Sequence, residues 1–544
     1  MGRGGFETRP YDLIRIAVKL SHLLENIDVL KIRGEAGGDV LSVCYDSKNC
    51  GHGSLFVAIS GLSRDGHDFI PEAVAGGAGY ILHENNFIPP PGVTAVEVAN
   101  SRCALGILGK NFYRHPSAEL CLVGVTGTNG KTTVTYLLEA VFQAAGYRTG
   151  VLGTVNYRYE DKVFPAPNTT PESFELQKIL REMADHGVTH VIAEVSSHAV
   201  DLRRVDDCEF ALGIFTNLSQ DHLDYHQTME NYFQAKLRFF REILPAEGKR
   251  RPGKMIVNGD DPWGQRILKE TNRSKLTFGL QHGSDVRAEI VSLTAEGIRA
   301  IIHSEQGTLA ISSPLSGRFN LYNVLAAVAA SMVLGVPADC IRDGIAGLTG
   351  VPGRLQRISR RSEPAVFVDY AHTPDALLRV LQNLVEFRRG RIITVFGCGG
   401  NRDRGKRPLM GSAAAANSDV TIITSDNPRG EEPLQIISEI EAGVDGKSVR
   451  KCLPEEISAA GGDKCYTLLP DRQKAIELAV RLAGPDDTIL IAGKGHEDYQ
   501  IVGSNRFPFD DRLVARAALD IKHVGAGLKP APTGGTKCPI PAGR

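Results

Sequence analysis

The sequence predicts an α/β protein of three domains. A small α/β N-terminal domain is expected over 1–117, a central P-loop-type domain with a mostly parallel sheet over 118–350, and a C-terminal Rossmann-like α/β domain over 351–523. Residues 524–544 form a Gly/Pro-rich tail without periodicity, expected to be disordered and outside the fold. Three observations lead to this reading. At 544 residues the chain is too long for one hydrophobic core. From Leu120 onward, short apolar runs alternate with loops and apolar-periodic helical segments. Many of those runs end in loops dense in Gly, Asp, Arg or His, which a parallel sheet collects on one edge.

In the first domain the pattern predicts a helix near Leu13–Leu24 and strands at Val40–Tyr45, Ser54–Ile59 and Gly79–Leu82. Asp46 and Ser47 follow the first of these strands and either bind a ligand or cap a turn. The second domain opens with the apolar strand Leu120–Val125, the turn Gly127-Thr-Asn-Gly130, and Lys131-Thr132-Thr133 leading a helix that carries Leu137, Leu138, Val141 and Phe142. Strand, Gly-rich turn, Lys-Thr, helix is the layout of a phosphate-binding loop. Val125 stands where the usual spacing has Gly. A nucleoside triphosphate is the expected ligand of this domain. Three further strands follow. Thr189–Val195 contains Glu194, Phe210–Phe215 runs toward Asp221 and His222, and Met255–Val257 ends at Asn258. A carboxylate inside an apolar strand is costly unless it is paired or metal-bound. Glu194 is therefore a Mg²⁺-ligand candidate, with an ion pair to Lys or Arg as the alternative. His222 serves either as a ligand or as structure.

Residues 298–313 alternate like strands, and Val324–Val336 is a buried helix, interrupted by Ser331 and too short to span a bilayer. Val351-Pro-Gly-Arg354 marks the boundary into the third domain. There Ala365–Val368, Ile392–Phe396, Val420–Thr424 and Ile489–Ile491 each run into a loop rich in Gly and charge. These loops set Arg402 and Arg429 against Asp426, Glu497 and Asp498. Such a mixed set suits a zwitterion, Arg for carboxylate and Asp/Glu for ammonium.

A net charge of −1 gives no electrostatic case for nucleic acid or a membrane. The ten Cys lack C-x-x-C pairs and suit a reducing compartment, with Cys208 and Cys398 as candidate reactive thiols. Met1–Phe6 has no apolar signal core and does not fit the myristoylation pattern, so a cytoplasmic protein is expected.

Taken together, these residues resemble the Mur ligase family, over roughly 20–523. The resemblance rests on Gly127–Thr133, Asn168-Thr-Thr170, Glu194-Val-Ser-Ser-His198, Asp221-His222, Tyr232-Phe-Gln-Ala-Lys236, Asp369-Tyr-Ala-His372 and Asp426-Asn-Pro-Arg429. It implies an ATP-dependent ligase of peptidoglycan precursor synthesis. Such an enzyme adds meso-2,6-diaminopimelate to the D-glutamate of UDP-N-acetylmuramoyl-L-alanyl-D-glutamate through an acyl phosphate. It implies that Gly127, Thr128, Asn129, Gly130, Lys131, Thr132 and Thr133, with Asn320 and Arg354, bind ATP. Thr132, Glu194 and His222 would hold magnesium, with two ions in all. Lys236 would be an N6-carboxylysine that adds a carboxylate to the metal site, although by pattern it is an ordinary exposed helical lysine. Lys131, Glu194, His222 and Lys236 form the implied catalytic set. Ser47, Asn168, Thr169, Thr170, Ser196 and Arg204 would bind the UDP-substrate. Arg402, Asp426, Asn427, Pro428, Arg429, Gly493 and Glu497 would bind diaminopimelate. His222, Asp369 and His372 are candidates for steering the amine's proton. Lys48 stands where the family usually has Arg, and Leu202 where some members have Gln. The expected partners are small molecules only, bound by a monomer without nucleic-acid contact or membrane insertion. The alternatives are the lysine-adding relative, a folylpolyglutamate synthetase-like ligase, or a nucleotide-binding regulatory module.

Overall fold

Apolar runs become the inner strands of three sheets because both faces of each run can be covered by helices. The computed structural model describes residues 17–61, 64–245, 253–446, 448–457 and 463–527. The chain groups into two compact units. The first holds residues up to Glu289 with Ala300–Ile311 and Asn320–Leu348; the second holds Ile290–Arg299, Ser312–Phe319 and the chain from Thr349.

The first unit contains two large sheets and a separate two-stranded pair, Val18–Lys19 with Asp39–Val40. The N-terminal one has five strands in the order Val29–Arg33, Thr94–Val98, Ala78–His83, Ser54–Val57, Ser42–Cys44. All its neighbours are parallel except the first pair. The helix expected near Leu13–Leu24 is replaced by the strand Val18–Lys19 and a four-residue helix, Leu20–Leu23. Val18 pairs with Val40 across the edge, and that non-local pairing overrides the helical pattern. Residues 13–16 lie outside the described residues.

The larger sheet of the first unit has a parallel centre. It runs Thr149–Leu152, His190–Glu194, Cys121–Thr126, Phe210–Phe215, Lys254–Asn258 and Lys275–Gly279 side by side. Tyr157–Tyr159 and Lys162–Phe164 close one edge antiparallel. The helix Lys131–Ala144 buries Val134, Leu137, Leu138, Val141 and Phe142, the i, i+3, i+4, i+7, i+8 stripe of a helix facing a core. Cys121–Thr126 lies between the strand ending in Glu194 and the strand leading to Asp221 and His222. Three chemistry-bearing loops therefore leave adjacent strands at one edge.

The second unit contains a seven-stranded sheet in the order Gln356–Arg357, Ala365–Asp369, Thr488–Ala492, Ile392–Phe396, Val420–Ile423, Cys465–Leu468, Arg450–Lys451. Only its first pair is antiparallel. The last helix runs Asp511–Gly527, beyond the expected start of the tail at 524, and residues 528–544 lie outside the described residues. The nine described cysteines are free. Burial pushes the thiols of Cys208 and Cys398 up in pKa, away from reactivity. Among the described residues no helix is long and apolar enough to cross a membrane.

Candidate active site

The phosphate loop is built by its own glycines and by the strand beside it. Gly127 and Gly130 take φ of 141° and 89°, conformations L side chains rarely adopt. Asn217 accepts from the Asn129 amide at 3.0 Å through its side chain, and its backbone carbonyl accepts from the Thr128 amide at 2.8 Å. The Thr216 hydroxyl donates to the Asn129 carbonyl at 2.6 Å. Lys131 Nζ donates to the carbonyls of Gly127 and Thr128, both at 2.9 Å, so its charge sits at the mouth of the loop. Thr132 and Thr133 are buried in the first turn of the helix, where amides have no intrahelical acceptor. Asn323 hydrogen-bonds Asn320 at 3.0 Å, and a Cβ at Gly130 would lie 2.2 Å from Asn323 Oδ1. Asn323 thus stands against the loop, with Asn320 behind it.

Gly130 has a testable role. Gly130→Ala is expected to cost roughly 1–2 kcal/mol in backbone strain, lower Tm by about 2–4 °C, and raise KM for ATP through the Asn323 clash. Gly146→Ala is the control: φ is 80° there, but the added methyl meets open space. It should lower Tm alone, and equal effects of the two variants on ATP would contradict the role given to Asn323.

Glu194 is buried at the strand end. Its carboxylate accepts from the Thr154 amide at 3.0 Å and the Thr154 hydroxyl at 2.9 Å, and no Lys or Arg pairs with it among the described residues. His222 sits at φ 53°, its ring 4.9 Å from His198 and 3.5 Å from Asp221. Burial lowers its pKa against the opposing pull of Asp221, which favours a neutral imidazole.

Lys236 corrects the sequence reading most sharply, since it is 1 % exposed rather than on the surface. Its Nζ donates to the Gly127 carbonyl at 3.0 Å and lies 4.6 Å from the Tyr232 ring centre. No carboxylate pairs with it among the described residues. Burial, reinforced by the Lys131 charge and opposed by Asp221, pushes its pKa well down. The pattern missed this because the helix Met229–Arg238 buries Tyr232, Phe233, Ala235, Lys236 and Leu237, a broader face than its polar residues suggest. Among the described residues no three His, Cys, Asp or Glu side chains are preassembled around a metal position. The donors that exist are a threonine hydroxyl, a carboxylate and an imidazole, beside a buried amine whose pKa is pushed down. This largely oxygen set fits Mg²⁺.

The residues expected for the UDP-substrate converge with two exceptions. The Thr170 hydroxyl donates to the Glu194 carbonyl at 2.8 Å, Ser196 caps Ala199 at 3.2 Å, and Arg204 donates to the Thr170 carbonyl at 3.1 Å. Thr169 meets Thr154 at 3.1 Å. Asn168 enters only through its carbonyl, which accepts from Tyr157. Ser47 is spent locally, donating to Glu72 at 2.7 Å in a turn whose cap is Asp46.

In the second unit the residues expected to bind the amino acid lie together on neighbouring loops. The Asn427 side-chain amide donates to Glu497 at 2.9 Å and its oxygen accepts from Ile501 at 2.9 Å. Arg429 Nη1 donates to the Gly400 carbonyl at 3.0 Å. Gly400 packs on the Pro428 carbonyl, Gly493 on the Asp426 carboxylate, and Arg402 shares Gly399 with Arg429. Lys494, which sequence reasoning passed over, is fully buried and pairs with Glu497 at 3.1 Å. Arg407, also buried, pairs with Glu431 at 2.9 Å, and Glu431 holds the Asn401 amide. Asp369 accepts from the amides of Leu355 at 2.6 Å and Ala371 at 2.8 Å, so its carboxylate braces a turn. Arg354 lies 4.9 Å over the Tyr370 ring, and His372 Nδ1 contacts the Tyr370 carbonyl at 2.9 Å.

Comparison with known proteins agrees with this layout. The Mur ligase middle domain matches 125–331, the Mur ligase glutamate ligase domain 353–495, and the Mur ligase catalytic domain 39–113. The UDP-N-acetylmuramoyl-L-alanyl-D-glutamate–2,6-diaminopimelate ligase of Geobacter metallireducens is 46% identical over 498 residues, 91% of this chain and 98% of that protein. A solved structure of a ligase with the same name has a TM-score of 0.67 at 31% identity, covering 93% of this chain and all of that one. The MurF ligase of Thermotoga maritima, solved with ADP, shares the fold at TM-score 0.58 and 18% identity, over 89% of this chain and 98% of that one. A phosphate loop braced by its neighbouring strand, a buried lysine behind it and the near full-length likeness agree: the chain belongs to the Mur ligase family.

Proposed function

We propose that the chain joins meso-2,6-diaminopimelate to the D-glutamyl side chain of UDP-N-acetylmuramoyl-L-alanyl-D-glutamate, using ATP. The observation that carries the reading is the mixed-charge cluster of Arg402, Asp426, Asn427, Arg429 and Glu497 in the second unit. Diaminopimelate differs from lysine by a distal carboxylate, and a guanidinium binds carboxylates bidentately.

A carboxylate does not react with an amine at neutral pH. ATP therefore transfers its γ-phosphoryl group to a glutamyl carboxylate oxygen, the bond from γ-phosphorus to the bridging oxygen breaks, and ADP leaves. The amine nitrogen then attacks the acyl carbon, an amide bond forms, and phosphate leaves with the C–O electron pair. Phosphoryl transfer between two anions needs charge neutralisation and alignment. Lys131 exchanges its carbonyl partners for phosphate oxygens, while Asn217 and Thr216 keep the loop in shape. Thr132, Glu194, His222 and carbamylated Lys236 would hold two Mg²⁺ ions, which neutralise phosphate charge when bound. Thr169, Thr170, Ser196 and Arg204 orient the UDP-substrate's acceptor end. The reading includes a monomer acting in the cytoplasm on small molecules, divided at 117/118 and 350/351.

Phosphate release from ATP with the UDP-dipeptide tests the reading in three arms: diaminopimelate, lysine or neither. Release should require an amino acid, and diaminopimelate should exceed lysine by about tenfold or more, the value of one charged hydrogen bond. Equal rates with lysine, or release without an amino acid, would overturn it.

A further inference from the structure

Behind the amino-acid cluster lies an ion pair with no solvent contact. Arg472 opens the helix Arg472–Leu482 and Asp511 opens Asp511–Gly527, and both side chains are 0% exposed. Arg472 Nε and Nη2 each reach one Asp511 oxygen at 2.7 Å. The remaining donors do something the pair alone does not require. Nη1 donates to the Ser425 carbonyl at 3.3 Å and Nη2 to the Ala492 carbonyl at 3.0 Å. Ser425 precedes Asp426, and Ala492 precedes Gly493.

Ala492 ends the strand Thr488–Ala492 and Ser425 lies just beyond Val420–Ile423, and these strands are not neighbours. Val420–Ile423 and Thr488–Ala492 both flank Ile392–Phe396, so no ladder hydrogen bond joins their ends. One guanidinium ties both loops across the intervening strand. Burying such a pair is a poor route to stability, because desolvation offsets the attraction and apolar replacements often do as well. Burial pushes the guanidinium's pKa down. Asp511 and then Asp426 and Glu497 outweigh that and leave it raised, so both cluster carboxylates feel this cation.

We propose that Arg472, held by Asp511, is a positioning residue for the amino-acid substrate: it fixes the spacing between the Asp426–Arg429 loop and the Gly493–Glu497 loop. This deepens the function proposed above and rests on it for the identity of the substrate.

The test uses the full chain. Arg472→Lys keeps the charge but cannot reach Asp511 and both carbonyls together. KM for diaminopimelate should rise about tenfold or more, while KM for ATP and for the UDP-dipeptide stays within about twofold. The apolar pair Arg472→Met with Asp511→Leu should remain folded and show the same split, which separates loss of the tie from loss of the fold. Hydrogen exchange, read without substrate, should speed up together in peptides spanning Ser425–Arg429 and Ala492–Glu497. An unchanged KM for diaminopimelate, parallel rises in all three KM values, or exchange changes confined to Asp511–Gly527 would overturn the proposal. If the parent chain does not use diaminopimelate, the substrate assignment fails, and the exchange measurement still decides whether Arg472 ties the loops.

Discussion

Lys236→Ala is expected to lower turnover by about a hundredfold or more, the loss that follows when several kcal/mol of charge stabilisation is removed from a phosphoryl-transfer site. The amine is buried, donates to the Gly127 carbonyl at 3.0 Å and has a pKa pushed well below that of an ordinary lysine, first by burial and then by Lys131. Carbon dioxide adds only to a neutral amine: the N–C bond forms and one proton is released. The sign with pH follows. The amine is neutral above its folded pKa, so acidification protonates it and removes the carbamate. Wild-type activity should fall on the acid side and in carbon-dioxide-free buffer, and recover with bicarbonate. Lys236→Arg, which keeps a cation but cannot carbamylate, should be as inactive as the alanine variant. Turnover by Lys236→Ala within about threefold of wild type would remove the residue from the mechanism.

Legibility in the sequence followed burial and locality. Phe210–Phe215 and Ile392–Phe396 were delimited to the residue because a strand covered on both faces is a continuous apolar run bounded by turns. The phosphate loop was legible because its strand, glycines and Lys-Thr are contiguous. Val18–Lys19 was not, because a two-residue strand exists only through its partner Asp39–Val40. Buried cations were hidden for the same reason. Lys236, Arg407, Arg472 and Lys494 carry the residue types of a solvated surface. Arg407 and Arg472 pair with carboxylates far along the chain, Glu431 and Glu439 for the first and Asp511 for the second, while Lys494 pairs with Glu497 one turn on. Glu194 could be suspected as a ligand from its strand. That Thr154, rather than a cation, satisfies it emerges only once two strands are aligned.

Arg429→Ala should raise KM for diaminopimelate by roughly 10- to 100-fold, the equivalent of about 1.5–3 kcal/mol for hydrogen bonds to a charged group. KM for ATP should stay within about twofold. The backbone here is held from both sides. The Arg429 amide donates to Ile501 at 3.1 Å, its carbonyl accepts from Gly503 at 2.7 Å, and Gly430 donates to Asn401 at 3.1 Å. These contacts keep Arg429 at φ 52°, a strained conformation for a residue with a Cβ. Among the described residues the side chain hydrogen-bonds only the Gly400 and Asn427 carbonyls, contacts it can exchange for a carboxylate. Arg429→Gly therefore separates substrate recognition from loop shape. Glycine relieves the strain, so Tm should hold or rise, yet diaminopimelate recognition should be lost as fully as in the alanine variant. The weak reaction with lysine should change little, because lysine never used the guanidinium. A glycine variant that keeps the wild-type KM for diaminopimelate would show that the loop's backbone, and not the Arg429 side chain, makes the discrimination.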